Sequence, residues 1–349
     1  MKKDSAALQG VAILLMLYHH FFNDLSIYGD ALSFWRPDLV IYFAWFGKIC
    51  VGTFAFVSGY GTCRQLAGKR DLRGSLLLCL RQAFGLLVRY WVTIFLFVGL
   101  FVLLGKKEFM AEEFFRNLCC LEYSYNGAHW YVGQYVKMML LLPVFDWFFW
   151  KDQEKEEKRK RWIFLVACAV MGVIAVAAAL WNGELKSGII TVIKWFRPAF
   201  LLAFFVGYLL ARFHAFEKLF QRTDGFAKWL RIPLGILTCA AVIFVRGMLA
   251  DSAAYATLDF LLVPVFITGL LLILRATGPV QKGLGWIGTM TAWLWLTHLF
   301  IYDLSKNLIL RFTDQHFLFY LAEVLLCIGI AWILKMLDEM IRNAFMKKK

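Results

Sequence analysis

Four of the six histidines in this chain lie in or beside long apolar runs. His19 and His20 stand near the end of the first run, His129 begins another, and His298 lies in a run near the C-terminus. An ionisable side chain in such a run is costly when it faces lipid, so it usually faces a cavity or a polar partner. Histidine is also the usual general base near neutral pH. These four residues are therefore candidates for proton-transfer chemistry.

Other polar residues accompany the histidines within apolar runs, but each also has a structural explanation. A lysine in a run can extend its amine to the interface, and glycines in a run allow close helix packing. No Ser-His-Asp order, phosphate-binding glycine loop or metal-ligand spacing occurs. These residues alone indicate a membrane enzyme or a transporter that uses histidine. The accompanying residues are Gln9, Lys48, Ser58, Arg89, Gln134 and Lys137.

The elements that must hold these residues are membrane-crossing helices. The 349 residues are 61% hydrophobic and 18% charged, whereas a soluble domain averages about 45–50% apolar and about 25% charged. Runs of about 20 apolar residues recur, and each can cross a hydrocarbon core about 30 Å thick. The sequence predicts an all-α, polytopic integral membrane helical bundle with about ten transmembrane helices. We expect one domain over residues 1–349.

The basic residues predict the orientation of the spans. With the N-terminus in the cytoplasm, inner segments hold 25 Lys and Arg and outer segments hold 10, with Arg246 counted as outer. The positive-inside rule then predicts both termini in the cytoplasm of a multi-pass cell-membrane protein. It also accounts for the net charge of +14 without a nucleic-acid partner. The predicted spans are 5–22, 37–63, 82–105, 128–150, 163–181, 198–211, 232–245, 256–274, 283–302 and 316–334.

The eight cysteines lie mostly in apolar runs and form no Cys-x-x-Cys pair. This pattern is typical of buried free cysteine rather than of a disulfide framework or a zinc site. We expect no metal and no tightly bound cofactor. The N-terminal run lacks a small-residue cleavage site and should be retained. The sequence gives no indication of oligomeric state.

Six segments match, in order, the motifs of one known family. They are residues 8–20, 51–60, 81–91, 129–143, 205–208 and 288–298. Over residues 5–340 the chain resembles the acyltransferase-3 family of integral membrane O-acyltransferases. The first span of that family usually carries a histidine eleven positions after a basic residue. In this register His20 is the family histidine, and the uncharged Gln9 stands at the basic position.

The resemblance implies transfer of an acyl group, often acetyl, from cytoplasmic acyl-CoA to a hydroxyl of a cell-surface glycan or related acceptor. Acyl-CoA is then a co-substrate, and acetyl-CoA is the expected form. His20 would deprotonate the acceptor, although an acyl-histidine relay through the same residue is also open. The supporting or alternative polar residues are His19, Gln9, His129, Trp130, His298 and Ser58.

Basic residues also gather around the segment between the second and third predicted spans. They are Arg64, Arg70, Arg73, Arg81 and Arg89. Because the arginine fork matches phosphate oxygens, this segment is predicted to bind the phosphates of CoA. The alternative is that its charge only sets the orientation of the spans.

Two other classes of function fit part of the sequence. A secondary transporter or flippase for a glycan or lipid precursor also uses glycine-interrupted spans and buried histidines. It predicts paired, repeat-related broken helices, and no internal repeat is evident in the sequence. A structural membrane subunit would leave the clustered polar positions unexplained.

Overall fold

The apolar runs form α-helices in a computed structural model of the chain. The structure describes residues 2–23, 37–67, 71–150, 197–223, 225–249, 257–309 and 316–346, and these residues contain no strand. A helix pairs its own backbone polar groups, which is required in lipid. The all-α membrane bundle is therefore confirmed. The predicted span 163–181 and Arg70 lie outside the described residues.

The helices are numbered along the chain, and a 3₁₀ turn, Gly127–His129, precedes α6. They are α1 (Lys2–Phe22), α2 (Pro37–Gly47), α3 (Ile49–Leu66), α4 (Leu72–Leu103), α5 (Ala111–Leu118), α6 (Trp130–Trp150), α7 (Pro198–Arg212), α8 (Ala215–Thr223), α9 (Lys228–Met248), α10 (Asp259–Ala276), α11 (Gly278–Gly288), α12 (Thr291–Ile309) and α13 (His316–Met346).

Six segments of the described chain are long and apolar enough to cross a membrane. They are α1, the joined α2 and α3, α4, α9, α10 and α13. Two more qualify only as bent pairs: α7 with α8 at 62°, and α11 with α12 at 68°. By length and composition, the described residues thus contain six spans, or up to eight with the bent pairs. The predicted number of about ten is not confirmed.

Several helix bounds differ from the predicted spans. Helix α4 begins at Leu72 rather than near residue 82, because Asp71 caps it by accepting a hydrogen bond from the Gly74 N–H at 3.0 Å. The predicted span 283–302 crosses the break between α11 and α12, and α13 continues past 334 to Met346. Hydropathy marks the apolar part of a helix and not its polar extension.

Glycines allow the closest helix crossings. Between α3 and α7, a Cβ on Gly59 would overlap the carbonyl of Phe204, and one on Gly207 would overlap that of Phe56. Helices α1 and α11 approach equally closely at Gly10. Small residues let transmembrane helices touch backbone to backbone. Gly59 therefore serves packing, as the sequence indicated.

The two ends of the bundle carry different contacts. At the end where α1 begins, here called the Lys2 end, Asp4 pairs with Arg275 at 2.7 Å. The Arg275 guanidinium carbon lies 4.0 Å from the ring centroid of Phe220 on α8. At the opposite end, the Phe22 end, the ring of Phe22 lies 5.2 Å from that of Phe317 on α13. The candidate catalytic histidines of α1 belong to the Phe22 end.

The most fully buried charges among the described residues are Arg246 on α9 and Asp259 on α10, both 0% exposed. Arg246 Nε donates to Asp259 Oδ1 at 2.9 Å, and Nη2 donates to Oδ2 at 3.2 Å. Nη1 donates to the carbonyls of Trp45 at 3.2 Å and Phe46 at 3.0 Å. The pair thereby ties α9 and α10 to the break between α2 and α3. The prediction that Arg246 lies in an outer loop is wrong, because α9 continues to Met248.

Replacing Arg246 with methionine should lower the free energy of unfolding by about 3–5 kcal/mol, because a buried carboxylate loses its partner. Detergent-titrated unfolding of purified protein measures this. The matched control is Arg116→Met, whose side chain is 53% exposed and pairs with Glu112 and Glu122. That change should stay within about 1 kcal/mol of wild type. Equal stability of both variants would contradict the structural role of Arg246.

Candidate active site

The adjacent histidines at the end of α1 have different neighbours. His19 is buried, and its Nδ1 donates to the carbonyl of Ala44 on α2 at 2.7 Å. The His20 ring lies with its centroid 5.0 Å from that of His298 on α12. Within the described chain, no group hydrogen-bonds the His20 ring. Successive helix residues point about 100° apart, so His19 joins α1 to α2 while His20 faces α12.

His298 is 2% exposed and presents a buried nitrogen without a partner. Its Nδ1 donates to the carbonyl of Trp295 at 2.7 Å. Its Nε2 has no hydrogen-bond partner among the described residues, so a neutral ring carries an unshared electron pair there. Buried polar atoms are nearly always satisfied, and an exception calls for an explanation such as catalysis. His20 and His298 form the polar centre of the candidate site.

His129 holds the turn before α6 against α12. Its Nε2 donates to the carbonyl of Leu296 at 2.8 Å. The ring also meets Tyr90 edge to face, with centroids 5.1 Å apart at 85°. His129 is close enough to His298 to interact electrostatically. It therefore borders the site, with its ring fixed by packing and by a backbone carbonyl.

Trp130 contacts the start of α7 rather than the paired histidines. The guanidinium carbon of Arg197 lies 3.8 Å from a Trp130 ring centroid. The ring of Phe200 lies 5.3 Å away. The Trp130 indole thus makes its contacts with the start of α7, including a cation–π contact with Arg197.

Gln9 and Ser58 lie too far along their helices to touch the paired histidines. Gln9 is eleven residues before His20 on α1, or about 16 Å at 1.5 Å per residue. Ser58 is ten residues beyond Lys48 on the joined α2–α3 span, or about 15 Å. The structure does not bring either residue to the His20–His298 pair. Gln9 does share the His20 face of α1, since eleven residues complete just over three full turns.

Two of the predicted donor-binding arginines already have carboxylate partners. Arg64 lies 3.4 Å from Glu217 on α8, and its Nη1 donates to Nδ1 of His214 at 3.0 Å. Arg89 pairs with Asp338 on α13 at 3.0 Å. These pairs tie α3 to α8 and α4 to α13.

The remaining described arginines of this group, Arg73 and Arg81, are exposed on the first turns of α4. Polar side chains lie beside them. Thr62 donates to Gln82 Oε1 at 3.0 Å, and Tyr135 of α6 approaches the same oxygen at 3.4 Å. A polar row thus leads from the exposed arginines of α4 toward the interior of the bundle.

The sequence reasoning missed three residues of this region. Lys48 looked like a lysine that reaches the interface, yet its Nζ lies over the Trp45 ring beside the histidines. Arg246 was assigned to an outer loop, and Asp259, inside the predicted span 256–274, was given no role, yet the two form the buried pair. One signal was present in the sequence: an arginine and an aspartate stand thirteen residues apart where two apolar runs meet.

The fold and the site define a helical, multi-pass membrane protein with a histidine pair at one end, in which His298 is buried and His20 is half-buried. No group of three or more His, Cys, Asp or Glu side chains that could hold a metal ion occurs in the part of the chain that the structure describes. A family model described as an acyltransferase domain matches residues 5–336. The chain therefore belongs to the acyltransferase-3 family and is a membrane acyltransferase. Neither the curated proteins nor the solved structures gave a match.

His20→Ala should lower the rate of acyl transfer by about 10²–10⁴-fold, the usual contribution of a general base. His19→Asn keeps a donor for the Ala44 carbonyl and should retain most of the activity. Initial rates of purified variants measure the difference, with size-exclusion profiles confirming intact protein. Full activity of His20→Ala would remove this residue from the mechanism. Loss of activity in His19→Asn alone would show that His19, and not His20, is the family histidine, so that the alignment with the family motif is wrong by one residue.

Proposed function

We propose that this acyltransferase moves an acyl group, expected to be acetyl, from cytoplasmic acyl-CoA to a hydroxyl of a cell-surface glycan or related acceptor. One observation carries the proposal. The His20 ring, which no group in the described chain hydrogen-bonds, lies beside the His298 ring, whose Nε2 has no partner there. In an acyltransferase, such nitrogens are suited to move the proton of the acceptor.

The proposed reaction uses His20 as the base. The acceptor oxygen attacks the thioester carbonyl while His20 takes the hydroxyl proton. A new C–O bond forms, the C–S bond breaks, and the CoA thiolate recovers the proton from His20. His298 Nε2 can accept a hydrogen bond and orient the His20 ring. An acyl-histidine relay uses the same residue as a nucleophile, with the acyl group carried briefly on its nitrogen.

The donor is proposed to enter at the Lys2 end. Arg73 and Arg81 are exposed there and can bind the phosphates of CoA. The pantetheine arm would then pass the polar row, where Gln82 and Tyr135 can hydrogen-bond its amides. Thr62 lies fourteen residues from Lys48 along α3, or about 21 Å. An extended arm is therefore needed to carry the thioester to the histidine pair.

The transporter or flippase alternative predicts broken helices, and two bent pairs occur among the described residues. Their breaks lie at the Lys2 end. Gly288, at the end of α11, packs against the carbonyl of Ala6, near the start of α1. The broken helices of secondary transporters instead place their breaks near the bilayer midplane, where substrate binds. The positions of the breaks therefore favour the acyltransferase.

The function is tested by incubating purified protein in liposomes with acetyl-CoA labelled in the acetyl group. We expect acetyl transfer to a hydroxyl acceptor, or slow thioester hydrolysis without one, and neither with His20→Ala. Movement of a glycan across the bilayer without any acyl chemistry would support the transporter instead.

The donor site makes a separate prediction. The double change Arg73→Gln with Arg81→Gln should raise the KM for acyl-CoA about fivefold or more, because two cations that meet phosphate are lost. The KM for the acceptor should change less. Arg116→Gln, on α5, is the matched control and should leave both constants unchanged. An unchanged donor KM in correctly inserted protein would contradict a phosphate site at Arg73 and Arg81.

Both termini are proposed to lie in the cytoplasm of the cell membrane. The sequence count of 25 inner against 10 outer Lys and Arg, with Arg246 counted as outer, supports this orientation. On a cysteine-free background, a cysteine at Lys107 should react with an impermeant reagent in intact cells. A cysteine at Lys218 should react only after permeabilisation. The reverse labelling pattern would show that the termini lie outside the cytoplasm.

A further inference from the structure

Lys48 stands at the break between α2 and α3, at the Phe22 end of the bundle. Its Nζ lies 4.0 Å from the ring centroid of Trp45. Its charge is close enough to interact electrostatically with both His19 and His20. Lys48 thus lies at the histidine end of α1, with its ammonium group over the Trp45 ring.

This ammonium group has no carboxylate partner within the described residues. The acid of this region, Asp259, is already held by both arms of the Arg246 fork. Arg246 is also close enough to Lys48 to repel it. A half-buried cation beside a second cation is unfavourable unless an anion joins them. The arrangement is therefore incomplete until a negatively charged group arrives.

Two constraints fix where the Lys48 backbone sits. A Cβ on Gly47 would lie 2.6 Å from the carbonyl oxygen of Leu15 and 2.9 Å from the His19 Cβ, so the break presses directly on α1. Arg246 holds the last carbonyls of α2 from the other side. The location of Lys48 beside the histidines thus follows from backbone packing and not only from its flexible side chain.

We propose that Lys48 is a further catalytic residue, whose ammonium group binds the oxyanion that develops on the thioester carbonyl. This inference rests on the proposed acyl transfer. Attack by the acceptor forms the C–O bond and moves the carbonyl π electrons onto oxygen, while the hydroxyl proton passes to His20. Lys48 donates a charge-assisted hydrogen bond to that oxygen. When the carbonyl re-forms, the C–S bond breaks and the thiolate takes the proton from His20. Lys48 itself neither gains nor loses a proton.

A prearranged cation suits this role because charge stabilisation is strongest where water is scarce and no reorganisation is needed. Asp259 already balances Arg246, and the oxyanion supplies the negative charge that Lys48 lacks within the described residues. The neighbouring Gly47 packs against the His19 Cβ, so the backbone holds Lys48 at the histidine end of α1. Lys137 of α6 is a second half-buried lysine with which Lys48 can be compared, and its charge interacts with that of Arg197.

The test compares Lys48→Met, Lys48→Arg and Lys137→Met in liposomes supplied with labelled acetyl-CoA and acceptor. Lys48→Met should lower kcat about 10²–10³-fold, the effect of removing one oxyanion donor. The KM for acetyl-CoA should stay within about threefold of wild type, since the ground-state thioester carries no such charge. Lys48→Arg keeps the charge and should recover part of the loss, and Lys137→Met should match wild type.

Several results would overturn the inference. One is a Lys48→Met kcat within about threefold of wild type. Another is a Lys48→Met variant with a raised KM for acetyl-CoA and an unchanged kcat, which would show that Lys48 binds the donor in the ground state only. A third is an Arg variant as inactive as the Met variant, which would mark a role in packing. If Lys48→Met does not purify as a single species, Lys48→Gln replaces it under the same criteria. Wild-type protein without transfer or hydrolysis would instead overturn the proposed function, and this inference with it.

Discussion

The buried ion pair of Arg246 and Asp259 sets the geometry of the candidate site. Burying two charges is costly, and the cost is offset only where hydrogen bonding is complete. Here the guanidinium meets both carboxylate oxygens and two backbone carbonyls at the end of α2. The Trp45 carbonyl also accepts from the Lys48 N–H at 3.2 Å, and in a membrane a helix-end carbonyl without any partner would cost several kcal/mol. The guanidinium therefore adds hydrogen bonds that stabilise the break, and the break places Lys48 beside the histidines.

The division of roles among the histidines follows from ordinary helix geometry. His19 and His129 each donate to a backbone carbonyl of a neighbouring element, and both are thereby fixed. His20 points about 100° away from His19 and meets His298 instead. The neighbouring helices hold the His20 ring and the Nε2 of His298, neither of which has a hydrogen-bond partner among the described residues. Such preorganisation is what general base catalysis needs, because the protein then makes no rearrangement during proton transfer.

The sequence predicted the features that depend on local chemistry. Apolar runs located the helices, and the resemblance to the family's first span, with a histidine eleven positions after Gln9, indicated His20 as the residue to examine. It did not predict the features that depend on tertiary partners. A hydropathy window averages over the breaks at Lys48 and near Thr289, so both were read as continuous spans. The pairing of Arg64 with Glu217 and of Arg246 with Asp259 joins helices far apart in sequence or across a loop, and charge counting alone assigns such residues to the surface.

The central claim is that the reacting carbonyl lies between His20, His298 and Lys48. A cryo-electron microscopy structure with a CoA thioether analogue, in which a methylene separates sulfur from the acetyl carbonyl, tests it most directly. We expect the carbonyl oxygen about 2.7–3.1 Å from Lys48 Nζ, with the face of the carbonyl open toward His20. An analogue bound with its carbonyl at the Lys2 end, or outside the bundle, would contradict it.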